Sequence, residues 1–445
     1  MKLSIAAALP ALALGAGLEI PIEKYKLGNG LRVVLSRDTS APVAAVYVIY
    51  DVGARAEEKG RTGFAHLFEH MMFQGSKNAP KGVHFKTVEA NGGELNGSTH
   101  ADYTDYFETL PSNKLPVGLW LESDRMRALA ITAENLANQK EAVKEERRMR
   151  VDNQAYVEAI VDVFPALAFK NWSSAHSMIG SFEDLNAAGV DDVARFFKTH
   201  YAPNNAVLVV AGDFESADAK KWIETYFADI PPQPQPKHPD LVEPSQTEPR
   251  WTKHSDKLAQ VPGVVAAWPG PKRLSADYFA LAMMDAVLTG GSSSRFALNL
   301  VKGRESLVSY EANLGWPFGS ASDYKDPGVY AAWVLHKPNF TAKQIVEQIE
   351  GEIAKIVKGG VPDAEMARVR AFLRTNRIRE VQSMISRAKL LGQFEVFDGD
   401  PGRINTELDQ LSKMTGQQIQ DMARRYFVPN KRTVVEVVVA VKEGK

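Results

Sequence analysis

The chain contains no cysteine. That absence removes disulfides, thiolate metal ligands and cysteine nucleophiles together, so any bound metal is held by nitrogen and oxygen. Histidine is scarce too, with nine in 445 residues, and the candidate nitrogen ligands are therefore few. Net charge is also missing. The 53 basic residues stand against 54 acidic ones, leaving no field that draws nucleic acid or an anionic membrane. Neither partner is expected, and no stretch reads as a stable membrane span. The N-terminal "MKLSIAAALPALALGAGLE" is too short to cross a bilayer. One lysine, an apolar stretch and small residues at Ala13 and Gly15 make residues 1–18 read as a secretory signal, implying a periplasmic or secreted protein. The alternative is a packed or irregular apolar N-terminus, in which case the location is the cytoplasm.

What is present is apolar content of 44 %, enough to bury a large core, in a length that suggests about two to four domains. One segment divides it. "IPPQPQPKHPDLVEPSQTEP", Ile230 to Pro249, holds seven prolines and few aliphatic residues, which predicts an extended linker outside any core. The predicted organisation is a first half at 19–229, a linker at 230–250 and a second half at 251–445.

The halves repeat one another. "YAPNNAVLVVAGDF" from Tyr201 and "FVPNKRTVVEVVVAV" from Phe427 each read as helix end, turn and buried strand. Laying Phe64 on Phe279 and Gly75 on Gly290 aligns "FAHLFEHMMFQG" with "FALAMMDAVLTG", both after strand-like runs. His66, Glu69 and His70 then face Leu281, Met284 and Asp285: the second half keeps the helix and lacks the chemistry. Short strands alternate with longer helices at Pro116–Leu129, Ala133–Asp152 and Val190–His200, and hairpins are expected in "LGNGLRVVLSRD" and "NGGELNGSTHADYTDYFETLP". The fold class is α+β, two homologous halves of sheet layered with helices.

The chemistry lies in "GFAHLFEHMMFQGS". Residues four apart on a helix share a face, so His66 and His70 can reach one metal ion, with Glu69 close by but free of it. A divalent metal on two imidazoles acidifies its water and a neighbouring carboxylate accepts the proton, which is metal-assisted hydrolysis. A catalytic zinc takes a third protein ligand. The richest source is "NQKEAVKEERRMR", with Glu141, Glu145 and Glu146, and spacing alone does not choose among them.

These stretches, together with "LESDRM", "IGSFEDL" and "YAPNNAVLVVAGDF", resemble the pitrilysin family of zinc peptidases, which includes insulin-degrading enzyme and mitochondrial processing peptidase. The likeness is to the short bacterial type and runs from about Tyr25 to the C-terminus. The order H-x-x-E-H is the family's mark. The resemblance implies a zinc metalloendopeptidase with one Zn2+ per chain, acting on unfolded peptides or small proteins inside a clam-shell chamber of which this chain forms half. It implies Glu146 as third ligand, since 75 residues lie between it and His70. Glu69 would be the general base and Asn96, in "LNGST", would bind substrate backbone.

Two departures stand out. Seven residues before the third ligand many members have a glutamate, where this chain has Gln139. In the second half, active single-chain members carry an arginine and a tyrosine seven residues apart. Here the matching positions are Val301 and Val308, with Arg304 and Tyr310 nearby but out of register. The implied partner is a homologous metal-free subunit supplying both groups, a heterodimer, with a homodimer as runner-up. A non-catalytic binding or assembly subunit of the same fold is the alternative function. "GGSSSRF" at Gly290 lacks a phosphate-loop ending and reads as a helix end. The seven remaining histidines, such as His84, His176 and His336, have no paired spacing and read as surface or hydrogen-bonded side chains.

Overall fold

The computed structural model describes residues 18–440 apart from 316, 318, 326 and 327. The segment read as a signal therefore lies, but for Leu18, outside the described residues. The chain forms two sheets. The first is built from β1 (Glu23–Lys26), β2 (Arg32–Arg37), β3 (Val43–Tyr50), β4 (Glu94–Thr99), β5 (Thr104–Pro111) and β6 (Ala206–Gly212), in the order β1-β2-β6-β3-β5-β4. The second contains β7 (Arg250–Asp256), β8 (Gly263–Pro269), β9 (Leu307–Leu314), β10 (Val329–His336) and β11 (Thr433–Val439), in the order β7-β11-β8-β10-β9. Without β1 the two orders are the same, down to one parallel pair, β2 with β6 and β7 with β11, among antiparallel neighbours. The repeat seen in the sequence is thus a repeat of topology.

Residue type explains which strands sit inside. β6 is "AVLVVAG", buried at every residue, and β3 is buried at all but its first. Unbroken β-branched runs of this kind belong to strands covered on both faces. β4, "ELNGST", stands at the edge with no buried residue. On one face of the first sheet lie helices Phe64–Met71, Leu115–Arg127, Val190–His200 and Ser216–Phe227, whose Phe68, Leu119, Val193 and Ile223 pack on Val33, Val46, Val48 and Val210.

The opposite face is covered from the other end of the chain. Val34, Ala45, Tyr47, Ile49 and Val209 meet Met384, Ala388, Leu391 and Phe394 of helix Met384–Asp398. The exchange is reciprocal: Val265, Ala267, Ala331 and Val435 of the second sheet are covered by Ala159, Phe164, Ala168 and Phe169 of the first half. The larger aliphatic and phenylalanine side chains among these contribute about 1.5–3 kcal/mol each on full burial, so each half completes the other's core.

The proline-rich segment has no regular structure between Phe227 and Arg250, but it does not stay outside the core. Ile230, 3 % exposed, joins the first core, and Gln246 is buried with its Nε2 donating to the Glu248 and Arg432 carbonyls. One apolar residue just past a packed helix is carried in with it, and a side-chain amide finds backbone acceptors, which overall proline content does not reveal.

A close approach in the exchanged packing is Gly392, where a Cβ would sit 2.5 Å from Tyr47 Cε1. Tyr47 cannot yield easily, because its hydroxyl donates to Asp105 Oδ2 at 2.9 Å in a buried pair. Gly392→Val is expected to destabilise the whole molecule by about 1–3 kcal/mol through overpacking, measured by thermal or denaturant unfolding.

Candidate metal centre

The first turn of helix Phe64–Met71 follows Gly63, and its Leu67, Phe68 and Met71 are buried against the sheet. That fixes the helix's rotation and turns His66, Glu69 and His70 toward a second helix, Ala133–Arg147. The latter is capped by Thr132, whose Oγ1 accepts from Asn135 N at 3.1 Å, and it buries Leu136, Gln139 and Val143. Glu146 continues this stripe at helical spacing. The helix then widens into one π-type turn, Arg148–Asp152, a form that recurs at functional sites.

Three ligand atoms converge. Glu146 Oε2 lies 3.1 Å from His70 Nε2 and 3.5 Å from His66 Nε2, and all three lie within 4.8 Å of one another. Ligands bonded to one zinc at about 2.0–2.1 Å in tetrahedral directions stand about 3.3–3.4 Å apart. The two nitrogens and one carboxylate oxygen therefore fit zinc in donor type and in spacing. Spacing on the sequence leaves three glutamates open, and the structure separates them: Glu141 and Glu145 point to solvent, paired with Lys144 and Arg148.

Neighbours hold the ligands. His70 Nδ1 faces Gln139 Oε1 at 3.3 Å, so Nδ1 carries the hydrogen and Nε2 is left toward Glu146. Arg150, on the π turn, holds the other Glu146 oxygen through Nε at 3.1 Å. Thr99 Oγ1, at the end of β4, donates to Glu69 Oε2 at 2.6 Å. Burial, with His70 beside it, lowers the His66 pKa, which leaves a neutral ring able to bind a cation. Burial also works against charge on His70, but the hydrogen bond and charge of Glu146 outweigh it and leave His70 raised. Glu146 is correspondingly lowered, first by its bond to His70. Glu69 is raised by burial, against the Thr99 hydrogen bond that lowers it. A carboxylate raised in this way is a better proton acceptor near neutral pH.

Beside the cluster lies a cavity of about 310 Å³, a size at the lower end of ligand pockets, with apolar walls from Val151, Val157, Val161, Met178 and Ile179. The second half adds Pro317 to its lining. Val301, Val308, Arg304 and Tyr310 do not line this cavity. Val301 packs on the second core, Val308 is 53 % exposed on β9, Tyr310 bonds Ser294, and Arg304 lines a separate surface hollow with Gln344. Asn96 lies on β4, exposed, its Oδ1 accepting from Gly97 N at 2.9 Å. It is three residues from Thr99, on the same edge strand but outside the ligand cluster.

Sequence reading misses Thr99 and Arg150, and takes Gln139 only as the loss of a carboxylate. No spacing rule reaches Thr99, which comes from a different element. Arg150, four residues after Glu146, has the helical interval of an ion pair, the one signal available. His84 also departs from expectation, being neither surface nor hydrogen-bonded: its buried Nε2 lacks a partner and lies 3.8 Å from Glu108 Oε2. His84, Glu108 and Glu122 form a second compact group, but Arg125 forks onto both Glu122 oxygens and stacks on Tyr106. A fixed guanidinium already fills the role of the cation. Burial pushes Glu108 up to about 7 and Glu122 up to about 8.

Thr99→Val removes the one hydrogen bond that lowers Glu69. The Glu69 pKa is then expected to rise further, measured by carbon-13 titration of the carboxyl group in metal-free protein. No change would show that Thr99 does not tune Glu69.

Comparison with known proteins places these residues in context. Residues 32–180 match the profile described as Insulinase (Peptidase family M16), and residues 188–373 match Peptidase M16 inactive domain. The chain is 26 % identical over 424 residues to zinc protease PqqE of Helicobacter pylori, covering 93 % of this chain and 92 % of that protein. It is 23 % identical over 399 residues to a probable mitochondrial-processing peptidase subunit beta of Schizosaccharomyces pombe, covering 88 % and 86 %. A crystal structure of a protease from Helicobacter pylori shares the fold with a TM-score of 0.87 at 24 % identity, over 94 % of this chain and 100 % of that one. With both halves matched and the topology repeated, the chain belongs to peptidase family M16, the pitrilysin family.

Proposed function

We propose that the chain is a zinc-dependent endopeptidase for unfolded peptides or small proteins, and the metal-bearing subunit of a dimer. The observation that carries this is the convergence of His66, His70 and Glu146 with Glu69 beside them. Zinc, when bound there, supplies a Lewis acid that acidifies water and polarises a peptide carbonyl. Glu69 accepts the proton of the attacking water and passes it to the leaving amine. Thr99 keeps Glu69 Oε2 in place for both transfers, and Gln139 keeps the His70 ring turned toward the ion. Arg150 steadies Glu146 by its second oxygen.

Substrate enters along β4. This strand is paired only on its β5 side, so its free edge offers backbone groups to which an extended peptide adds as a further strand. Asn96, exposed on that edge, binds the peptide backbone beside the bond to be cut. Val301 and Val308 supply neither positive charge nor hydroxyl for a developing oxyanion, which supports a metal-free homologous subunit contributing an arginine and a tyrosine. A homodimer is second to it. The N-terminal pattern around Ala13 and Gly15 supports export to the periplasm or beyond, and among the described residues no helix is long and apolar enough to cross a membrane. The matched description "inactive domain" supports a second reading, a non-catalytic assembly subunit. The complete ligand set favours the enzyme.

Three outcomes are expected. The purified chain carries one zinc and cleaves a quenched peptide in a chelator-sensitive way, and His66→Ala loses the metal. Glu69→Gln keeps zinc while hydrolysis falls by about 10²–10⁴-fold, measured by metal analysis and steady-state kinetics; wild-type rates in that variant would exclude the base role. Adding a metal-free homologue with the missing arginine and tyrosine raises the rate, whereas a full rate for the chain alone would overturn the heterodimer.

A further inference from the structure

The helix that carries His66 and His70 begins at a residue with no side chain of its own to cap it. Gly63 is its N-cap at φ 80°, and a Cβ there would lie 2.6 Å from the Ile179 carbonyl oxygen and 2.8 Å from Gly180 Cα. Gly180 presses back from the other side, also at φ +80°. The segment following helix Trp172–Ala175 thus crosses directly over the helix start. The orphan amides of the first turn still need acceptors.

Glu57 provides them from outside the helix. Its Oε2 accepts from Gly63 N at 2.9 Å and its Oε1 from Ala65 N at 2.8 Å. A carboxylate is favoured at this end of a helix dipole, but the Glu57 side chain is 0 % exposed, and a lone buried charge is costly. Its counter-ion is His176, with Nε2 3.0 Å from Glu57 Oε2 and 3.1 Å from the Ala54 carbonyl oxygen. His176 Nδ1 lies 2.9 Å from the Trp172 carbonyl oxygen. Every partner of the ring is an acceptor, an environment that both nitrogens satisfy as donors only in the imidazolium form. Glu57 in turn faces three N–H donors, which favour the ionised form against the burial that raises its pKa. Trp172 stacks on the imidazole, centroids 4.3 Å apart at 18°.

Two neighbouring guanidinium groups are committed elsewhere. Arg55, beside Ala54, is paired with Asp102 in a buried bridge, and Arg61 with Asp192. Burial acts to strip the His176 proton, but the hydrogen bond and charge of Glu57 outweigh it and leave the pKa raised.

We propose that Glu57 and His176 are a positioning pair for the metal-binding helix: His176 fixes Glu57, and Glu57 fixes the backbone of Gly63 and Ala65, the residue before His66. Catalytic and metal-binding groups tolerate displacements of only about 0.5 Å, so the cap sets the ligand geometry without touching the ion. This rests on the zinc reading above.

The tests use the full chain and separate the two ideas. In wild type labelled with nitrogen-15 histidine, both His176 ring nitrogens are expected to show imidazolium shifts at pH 7; a neutral ring would overturn the pair. Glu57→Gln and His176→Gln are each expected to weaken zinc binding about 10–100-fold in competition with a chelator. Both should speed amide exchange at Gly63 and Ala65 in the metal-free protein. The double variant should lose no more than the worse single one, because no uncompensated charge remains. Unchanged exchange with unchanged affinity, or losses that multiply in the double variant, would overturn the proposal. If the parent chain bound no zinc, the hydrolase reading would fail while the exchange and imidazole measurements still decided the cap.

Discussion

Glu146 reaches two imidazoles from across 75 intervening residues, and that meeting requires two helices to hold a fixed separation and rotation. Neither helix does this by itself. Helix Phe64–Met71 is only eight residues long, below the length at which an isolated helix persists in water. Its position comes from Leu67, Phe68 and Met71 in the first core. The partner helix is longer but mostly polar, with Leu136 and Val143 as its apolar anchors. The ligand spacing therefore depends on close packing around the first sheet, where a shift of one methylene is felt.

Around the cluster charged, neutral and apolar side chains have separate tasks, with Arg150 on the far oxygen of Glu146. The carboxylates Glu69 and Glu146 stand nearest, the neutral amide of Gln139 orients His70, and aliphatic walls from Val151, Val157 and Ile179 follow. A third carboxylate at position 139 would add negative charge and strengthen the His70 nitrogen as a donor. The amide supplies direction without charge. The second half shows what the same helix becomes without the motif: Asp285, at the place of His70, is half-buried against Tyr330 and Thr289 and pushed up to about 7 by desolvation.

Local periodicity made the core of the site readable. His66, Glu69 and His70 sit at intervals that only a helix turns into one face, and the two repeated halves announce themselves through strand–turn patterns that each generate a β11-like or β6-like central strand. The third ligand needed more than spacing, since Glu141, Glu145 and Glu146 are equivalent on paper and only packing turns one of them inward. Thr99 was invisible because its contact with Glu69 joins a strand to a helix. The predicted helix ending at Asp152 is α-helical only to Arg147, since the wider π turn differs in hydrogen bonding and not in residue preference. Apolar periodicity shows which face of a helix is buried but not which sheet it meets, so the exchange of helices between halves was likewise hidden.

That exchange bears on how the molecule comes into being. The outer face of the first sheet, with Val34, Tyr47 and Val209, is complete in sequence once Gly212 has been made, yet its cover ends at Asp398. During synthesis a greasy surface therefore waits, wet, while residues 213–398 are made. Nascent polypeptide in that interval is a natural client for a holding chaperone, and a strand break in the proline-rich segment of the finished particle would leave its two fragments clasped.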